Sequence, residues 1–291
     1  MFYYGDLISA IEKLGKKGAI TGSIGKSVLG LDIPYVLTEG KRGSEKEKTV
    51  IITGGIHARE HITVPLVLRL AEASLNGGYK TTNIFIPCVN PDGLRLATEG
   101  ISFLEEKREW KKFIPFLRSC GKDFRLWKAN VLGVDLNVNF DAEWGLGKNN
   151  VFYPGAENFV GKKPLDQAES QALAEFTLTV RPDITVSYHS KGEVIFWNFN
   201  QKGRILRRDY LYARRIARIT GYSLAEKGGS TGGYKDWCVS KLGIPSVTVE
   251  VGADSLSHPV GLENLREIYD KNKRILVENE RFLYSHSAEK S

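Results

Sequence analysis

Cysteine is scarce and scattered in this chain, with Cys88, Cys120 and Cys238 the only three. An odd, widely spaced set with no Cys-x-x-Cys pair excludes a fully paired disulfide framework and matches no thiolate zinc or thiol-redox motif. Cys88 and Cys238 are expected in the core. Long apolar runs are missing as well, and none reaches the roughly 20 residues of a transmembrane helix. The opening residues, Met1-Phe2-Tyr3-Tyr4-Gly5-Asp6, lack the basic stretch and apolar run of a signal peptide. These absences together lead to the expectation of a cytoplasmic protein with no membrane partner. The formal charge is +7, with 41 Lys and Arg against 34 Asp and Glu. No basic block is dense enough for a nucleic-acid partner, although the excess charge suits an anionic substrate. A phosphate loop is excluded too. Gly25-Lys26-Ser27 has Ile20 where that pattern requires glycine.

What remains is a chain of 291 residues, 42% of them hydrophobic, enough to bury one core and read as a single domain over 1–291. Apolar spacing predicts helices over 5–15, 62–73, 166–180, 203–220 and 261–284. Strands are predicted at Val50–Thr53, Thr82–Val89, Asp183–His189 and Ile244–Val251, with a further strand or hairpin near 26–37. Lys41–Lys48 reads as a solvated turn and Asn90-Pro91-Asp92-Gly93 as a tight one. Residues 100–130 read as an irregular, substrate-side loop. Strands alternate with helices, so the expected class is α/β with a mixed, mostly parallel sheet.

Chemistry-bearing residues cluster where the strands end. His57-Ala58-Arg59-Glu60-His61 follows the first apolar strand and its Gly54-Gly55. Asn137 and Asn139 lie in Val134-Asp135-Leu136-Asn137-Val138-Asn139-Phe140, read as another strand-to-site passage. His189 and Ser190 close a third run, and Glu250 sits inside Val247-Thr248-Val249-Glu250-Val251. Open α/β sheets place their chemistry at such strand ends. A catalytic zinc ion takes three protein ligands and keeps one position open, and His57, Glu60 and His189 supply that set. A carboxylate within an apolar strand is costly unless paired or functional. Glu250 is therefore the expected general base, taking a proton from the attacking water and returning it to the leaving amine. Arg59, Arg125 and Lys128 are the cations available to a developing oxyanion. A rival reading takes His57 and His61 as ligands in an inverted H-x-x-E-H motif with Glu60 as base. It needs both histidines on one helix, against the glycines and strand that press on His57, and it leaves His189 and Glu250 unexplained.

With these residues in place, the chain resembles the zinc carboxypeptidase family, typified by the pancreatic carboxypeptidases. Gly54-Gly55-Ile56-His57-Ala58-Arg59-Glu60, Asn90-Pro91-Asp92-Gly93, Arg125-Leu126-Trp127-Lys128, Gly133 through Phe140, Ser187-Tyr188-His189-Ser190, Asp236-Trp237 and Thr248-Val249-Glu250 match its motifs in order. The resemblance implies a twisted, eight-stranded mixed sheet flanked by helices and one catalytic Zn2+ on His57, Glu60 and His189. It gives Glu250 the role of base and acid, and places Arg59, Asn137 and Ser190 along the substrate. Val138 stands where the family's carboxypeptidases carry an arginine that clamps the terminal carboxylate, and an apolar side chain cannot make that paired bond. Lys128 takes the oxyanion arginine's place, keeping charge without the planar fork. The family's closing tyrosine aligns with Val239, leaving Tyr234 as its substitute.

These departures, with Trp127-Lys128-Ala129-Asn130 and Gly133-Val134-Asp135-Leu136-Asn137, resemble the bacterial subgroup of γ-D-glutamyl-L-diamino acid peptidases. That resemblance implies cleavage of cell-wall peptides between D-glutamate and meso-diaminopimelate, a small anionic muropeptide substrate that Arg125 and Lys128 would serve. Two other functions stay open. One is a metallocarboxypeptidase on ordinary L-peptides that uses another cation, and the other is a non-catalytic peptide-binding module. A monomer or weak homo-oligomer is expected.

Overall fold

The computed structural model describes residues 1–41, 47–225 and 230–285. Lys41–Lys48, read as a turn, lies largely outside them. Among the described residues, eight strands form one sheet: β1 (Ile20–Lys26), β2 (Asp32–Thr38), β3 (Thr49–Thr53), β4 (Thr82–Ile86), β5 (Ile184–Ser190), β6 (Val194–Phe196), β7 (Ser223–Leu224) and β8 (Ser246–Val251). Their order is β1-β2-β4-β3-β5-β8-β6-β7. The centre, β4-β3-β5-β8, is parallel, and the β1-β2-β4 flank and the β6-β8 pair are antiparallel. Burial follows this order. Every residue of β4 and β5 is buried, whereas the edge strand β1 is mostly exposed, as expected of a parallel centre covered on both faces.

Alternation along the strands feeds two cores. Val50 and Ile52 face a layer of α1 (Tyr4–Lys16), α2 (Thr63–Gly77), α6 (Gly203–Thr220), α8 (Leu265–Asn272) and α9 (Ile275–Ser285). Ile51 faces the opposite layer, with α5 (Ala168–Val180) and α7 (Tyr234–Leu242). Among the described residues no helix is long and apolar enough to cross a membrane.

Several sequence expectations change. Asn90-Pro91-Asp92-Gly93 opens α3 (Pro91–Glu99) rather than forming an isolated turn. Asn90 caps this helix by accepting the Gly93 N–H at 2.9 Å, and proline is tolerated in a first turn because its missing N–H has no intrahelical partner there. Residues 100–130 are not an irregular loop. They form short 3-10 turns and α4 (Ile114–Cys120) around a third apolar cluster that includes Phe103, Leu104, Trp110, Leu117, Phe124 and Trp127. Residues 134–140 form no strand either, because Asp135 accepts the Asn137 N–H and folds Leu136–Val138 into a 3-10 turn. The helix expected over 261–284 divides at Lys273 into α8 and α9.

Candidate metal centre

The parallel strands β3, β5 and β8 lie side by side and end at one edge, so the residues that close them meet. Gly54 and Gly55 turn the chain off β3. Gly55 has φ +58, and a Cβ there would sit 3.1 Å from the Cα of Cys88, so a side chain would be both strained and crowded. Ala58–Glu60 then forms a 3-10 turn, with His57 still extended at φ −96, ψ 128. Asn90 ties this turn to the next segment by donating to the carbonyls of Ile56 and Ala129. On the neighbouring strands, His189 of β5 and Glu250 of β8 are register partners.

Donor atoms of His57, Glu60 and His189 all lie within 4.8 Å of one another. The two Nδ1 atoms are 3.1 Å apart. Glu60 Oε1 is 2.9 Å from His57 Nδ1, and Oε2 is 3.1 Å from His189 Nδ1. Zinc–nitrogen bonds of about 2.0–2.1 Å put tetrahedral donors about 3.3 Å apart, so this spacing fits one zinc ion. All three residues are buried. Burial pushes the Glu60 carboxyl up, but the two imidazoles outweigh it and hold the group well below its ordinary range. His57 Nε2 stands 3.1 Å from Asp135 Oδ1. With the proton on Nε2, that contact leaves the Nδ1 lone pair for a metal, the usual outer-shell device.

Asp135 is the residue in contact with this cluster that the motif reading passed over. Its Oδ2 also pairs with Lys128 Nζ at 2.9 Å and accepts the Asn158 N–H. Burial raises its carboxyl, and the neighbouring Lys128 and His57 more than reverse this, holding it well below the usual range. Burial opposes the Lys128 charge, and Asp135 and Glu60 restore it and push its ammonium up. The signal was present. A carboxylate between Val134 and Leu136 raises the same cost of burial that singled out Glu250. His258 is half-buried and within electrostatic reach of Glu60 and His57.

A cavity of about 490 Å³ opens beside these groups. His57, Lys128, Asn137, His189 and Glu250 line it at the metal end. Glu250 is pushed up to about 7, chiefly by burial, with His189 pulling it down and Glu60 pushing it up. Other expected site residues lie elsewhere. Arg125 is exposed, and its guanidinium is held by Asp123 at 2.6 Å. Tyr234 is fully buried, with its hydroxyl 2.8 Å from that of Thr177 on α5. Val138 is buried and outside the lining, whereas Asn137 lines the cavity and accepts the Tyr234 N–H at 3.1 Å. Arg59 Nη1 is 3.2 Å from Glu157 Oε2. Ser190 donates its backbone N–H to Glu60 Oε2 at 3.2 Å. From 100–130, only Lys128 reaches the cavity. The segments that line its remainder are 196–200, 225, 230–236 and Glu143.

His61 stands apart from the cluster. It is buried, neither ring nitrogen has a partner among the described residues, and burial pushes it down to about 4. Because His57 is extended rather than helical, the two histidines do not share one helix, as the inverted motif requires.

Comparison with known proteins agrees with this arrangement. The zinc carboxypeptidase family profile matches residues 9–264. Gamma-D-glutamyl-L-diamino acid endopeptidase 1 of Lysinibacillus sphaericus is 29% identical over 264 residues, 85% of this chain and 64% of that protein. The chain thus spans a little under two-thirds of that relative's length. Bovine thrombin-activatable fibrinolysis inhibitor, solved in complex with tick carboxypeptidase inhibitor, superposes with a TM-score of 0.77 at 19% identity, over 99% of this chain and 98% of that one. Murein-tripeptide amidase MpaA from Escherichia coli O157 gives a TM-score of 0.57 at 21% identity, over 92% and 95%. At these identities the two structures bear on the fold alone. The profile, which takes in most of the sequence and all three clustered donors, shows that the chain belongs to the zinc carboxypeptidase family.

Proposed function

We propose that this chain acts as one catalytic domain, a zinc metallopeptidase that hydrolyses the γ-D-glutamyl–meso-diaminopimelate bond of small cell-wall peptides. The observation that carries the hydrolase reading is the placement of Glu250 on β8 directly beside His189 on β5, at the rim of the three-donor cluster. Zinc held by His57, Glu60 and His189 supplies Lewis acidity, which lowers the pKa of water and polarises a carbonyl. The remaining work belongs to side chains. Burial keeps Glu250 near neutrality, where a carboxylate can take a proton from the attacking water and return it to the leaving amine. Lys128, charged and anchored by Asp135, offers a fixed positive group to the developing oxyanion, and Arg59 adds to the local positive field. Asn137 contributes an amide to the substrate wall.

The substrate class rests on two supports. One is the relative from Lysinibacillus sphaericus, named for cleavage between γ-D-glutamate and an L-diamino acid. The other is the burial of Val138 outside the cavity, which leaves no arginine fork there for a terminal carboxylate. A metallocarboxypeptidase acting on ordinary L-peptides is the second reading, supported by the presence of Lys128 in the lining.

Mass-spectrometric cleavage mapping of the zinc-loaded protein tests this. The substrates are L-Ala-γ-D-Glu-meso-diaminopimelate, the same peptide amidated at its C-terminus, and an all-L peptide. Cleavage after D-glutamate with and without the amide is expected. Stepwise trimming of the uncapped all-L peptide alone would replace this reading with the second.

A further inference from the structure

Lys128 and Asp135 pair at 2.9 Å because the chain between them turns back on itself. The turn is built around Asn130, which is fully buried. Its backbone N–H donates to the Val134 carbonyl at 2.9 Å, and its own carbonyl accepts the Gly133 N–H at 3.0 Å. Gly133 has φ +74, and a Cβ there would sit 2.8 Å from the Gly155 nitrogen, so the tip of the turn suits glycine.

An asparagine side chain has two donors and an oxygen with two lone pairs, and in Asn130 all of them are used. Oδ1 accepts the N–H groups of Leu132 and Val134, each at 3.1 Å. Nδ2 donates to Gln167 Oε1 at 2.9 Å and to Glu169 Oε2 at 3.2 Å. The amide oxygen thus closes the turn, and the amide nitrogen ties it to the start of α5. Glu169 is fully buried too, and its other oxygen takes the Val28 N–H at 3.1 Å. The flanking backbone is held as well. The Lys128 and Ala129 N–H groups both donate to the Ala156 carbonyl at 2.9 Å, and Asn90 donates to the Ala129 carbonyl at 3.1 Å.

A fully satisfied polar network rigidifies the segment it joins. What this segment carries gives the rigidity a use. Lys128 enters the turn and lines the cavity, and Asp135 leaves it and contacts both Lys128 and His57. A shift of the turn therefore moves the cation and the His57 contact together. We propose that Asn130 and Glu169 are positioning residues of the peptidase. Through the Asn130 amide they hold the Lys128–Asp135 pair in register with the metal ligands, so zinc affinity and transition-state stabilisation depend on one buried hydrogen bond. This assignment rests on the roles given above to Lys128 and Asp135.

Reversing the polarity of that hydrogen bond tests it. Asn130→Asp keeps size and the acceptor for Leu132 and Val134, but sets an oxygen against Glu169. Zinc affinity, read by chelator competition, should fall roughly 10-fold, the lower end for groups that orient a ligand from outside. On whichever of the three peptides is cleaved, kcat should also fall roughly 10-fold with KM changed less than about threefold, because Lys128 meets charge that develops in the transition state. Glu169→Gln sets donor against donor and should show the same two losses. The double variant Asn130→Asp/Glu169→Gln lets the new amide donate to the new carboxylate, and should recover most of both. Ile216→Ala, in the apolar layer on the other face of the sheet, should lower the melting temperature and leave zinc affinity and kcat near wild type. Losses confined to melting temperature, or a double variant no better than the single ones, overturn the proposal. Should Asn130→Asp fail to fold, Glu169→Gln against the double variant decides in the same way. Zinc affinity lost and recovered in a protein that cleaves none of the three peptides would support positioning through Asp135 and sink the reading of the reaction instead.

Discussion

The two ends of one cavity are built by different means. At the metal end, the functional groups sit on or just past parallel strands at the sheet's centre, and the groups around the three donors are matched within the fold. Asp135 meets both His57 and Lys128, and Glu60 meets both histidines. At the other end, Asn198 and Asn200 hang beyond the short strand β6, and Lys235 rides the first turn of α7. There the Lys235 ammonium donates to Asp236 and to the Asn198 carbonyl, and its third donor has no partner among the described residues. A closed network fixes geometry for chemistry, whereas an open one leaves capacity for a ligand.

The sharpest break in this contrast is removal of one donor from the closed network. His189→Ala should abolish activity and leave little zinc after dialysis, because two protein ligands remain where a catalytic site uses three. His61→Ala should retain the metal, since its ring lies outside the cluster. Metal content by mass spectrometry checks both, and the opposite pattern would move the site to His57 and His61. The next largest effect separates metal binding from proton transfer. Glu250→Gln should keep zinc and lower kcat by about 10²- to 10⁴-fold. Near-normal turnover would remove Glu250 from the reaction. Asp135→Asn tests the outer contact on His57. Zinc affinity should fall by roughly 10- to 100-fold, as read by chelator competition, and unchanged affinity would mean that Asp135 serves Lys128 alone.

The metal end was far more legible in sequence than the substrate end, for a physical reason. A parallel strand buried on both faces reads as an apolar run, so His57, His189 and Glu250 stand out as costly exceptions at its end. Val134 to Phe140 misled because a buried loop is apolar too. Its backbone is satisfied by Asp135 and by contacts such as Phe140 N–H to the Gly232 carbonyl, which no period reveals. Residues 100–130 misled in the opposite direction. Their many charges face outward while Trp110 and Trp127 pack inward, so the segment reads as a loop although it builds its own core. Lys235 carried no strand-end signal. A lysine at the start of a helix looks solvated until the fold seals it beneath Phe199 and Asn198.

The last expected effect is on stability rather than activity and lies away from the cavity, in a buried carboxyl pair that does not form a closed charge network. Asp92 accepts the Ser27 hydroxyl at 2.6 Å and the Leu29 N–H at 2.9 Å, and Glu169 accepts the Val28 N–H at 3.1 Å. The two acids thus fasten the β1–β2 connection from beneath. Burial first, then the Glu169 charge, push Asp92 up to about 7. Since that exceeds the unfolded value of about 3.9, the folded chain holds the proton more tightly. The resulting stability is full below the unfolded pKa and is lost as pH rises through about 7. Asp92→Asn keeps an acceptor for Leu29 but cannot ionise. Thermal melts of the two proteins should therefore converge or cross in favour of the variant between pH 5 and 8, a relative shift on the order of 1–3 kcal/mol. Parallel melting curves across that range would mean that Asp92 is ionised in the fold, and that its hydrogen bonds from Ser27 and Leu29 outweigh its burial.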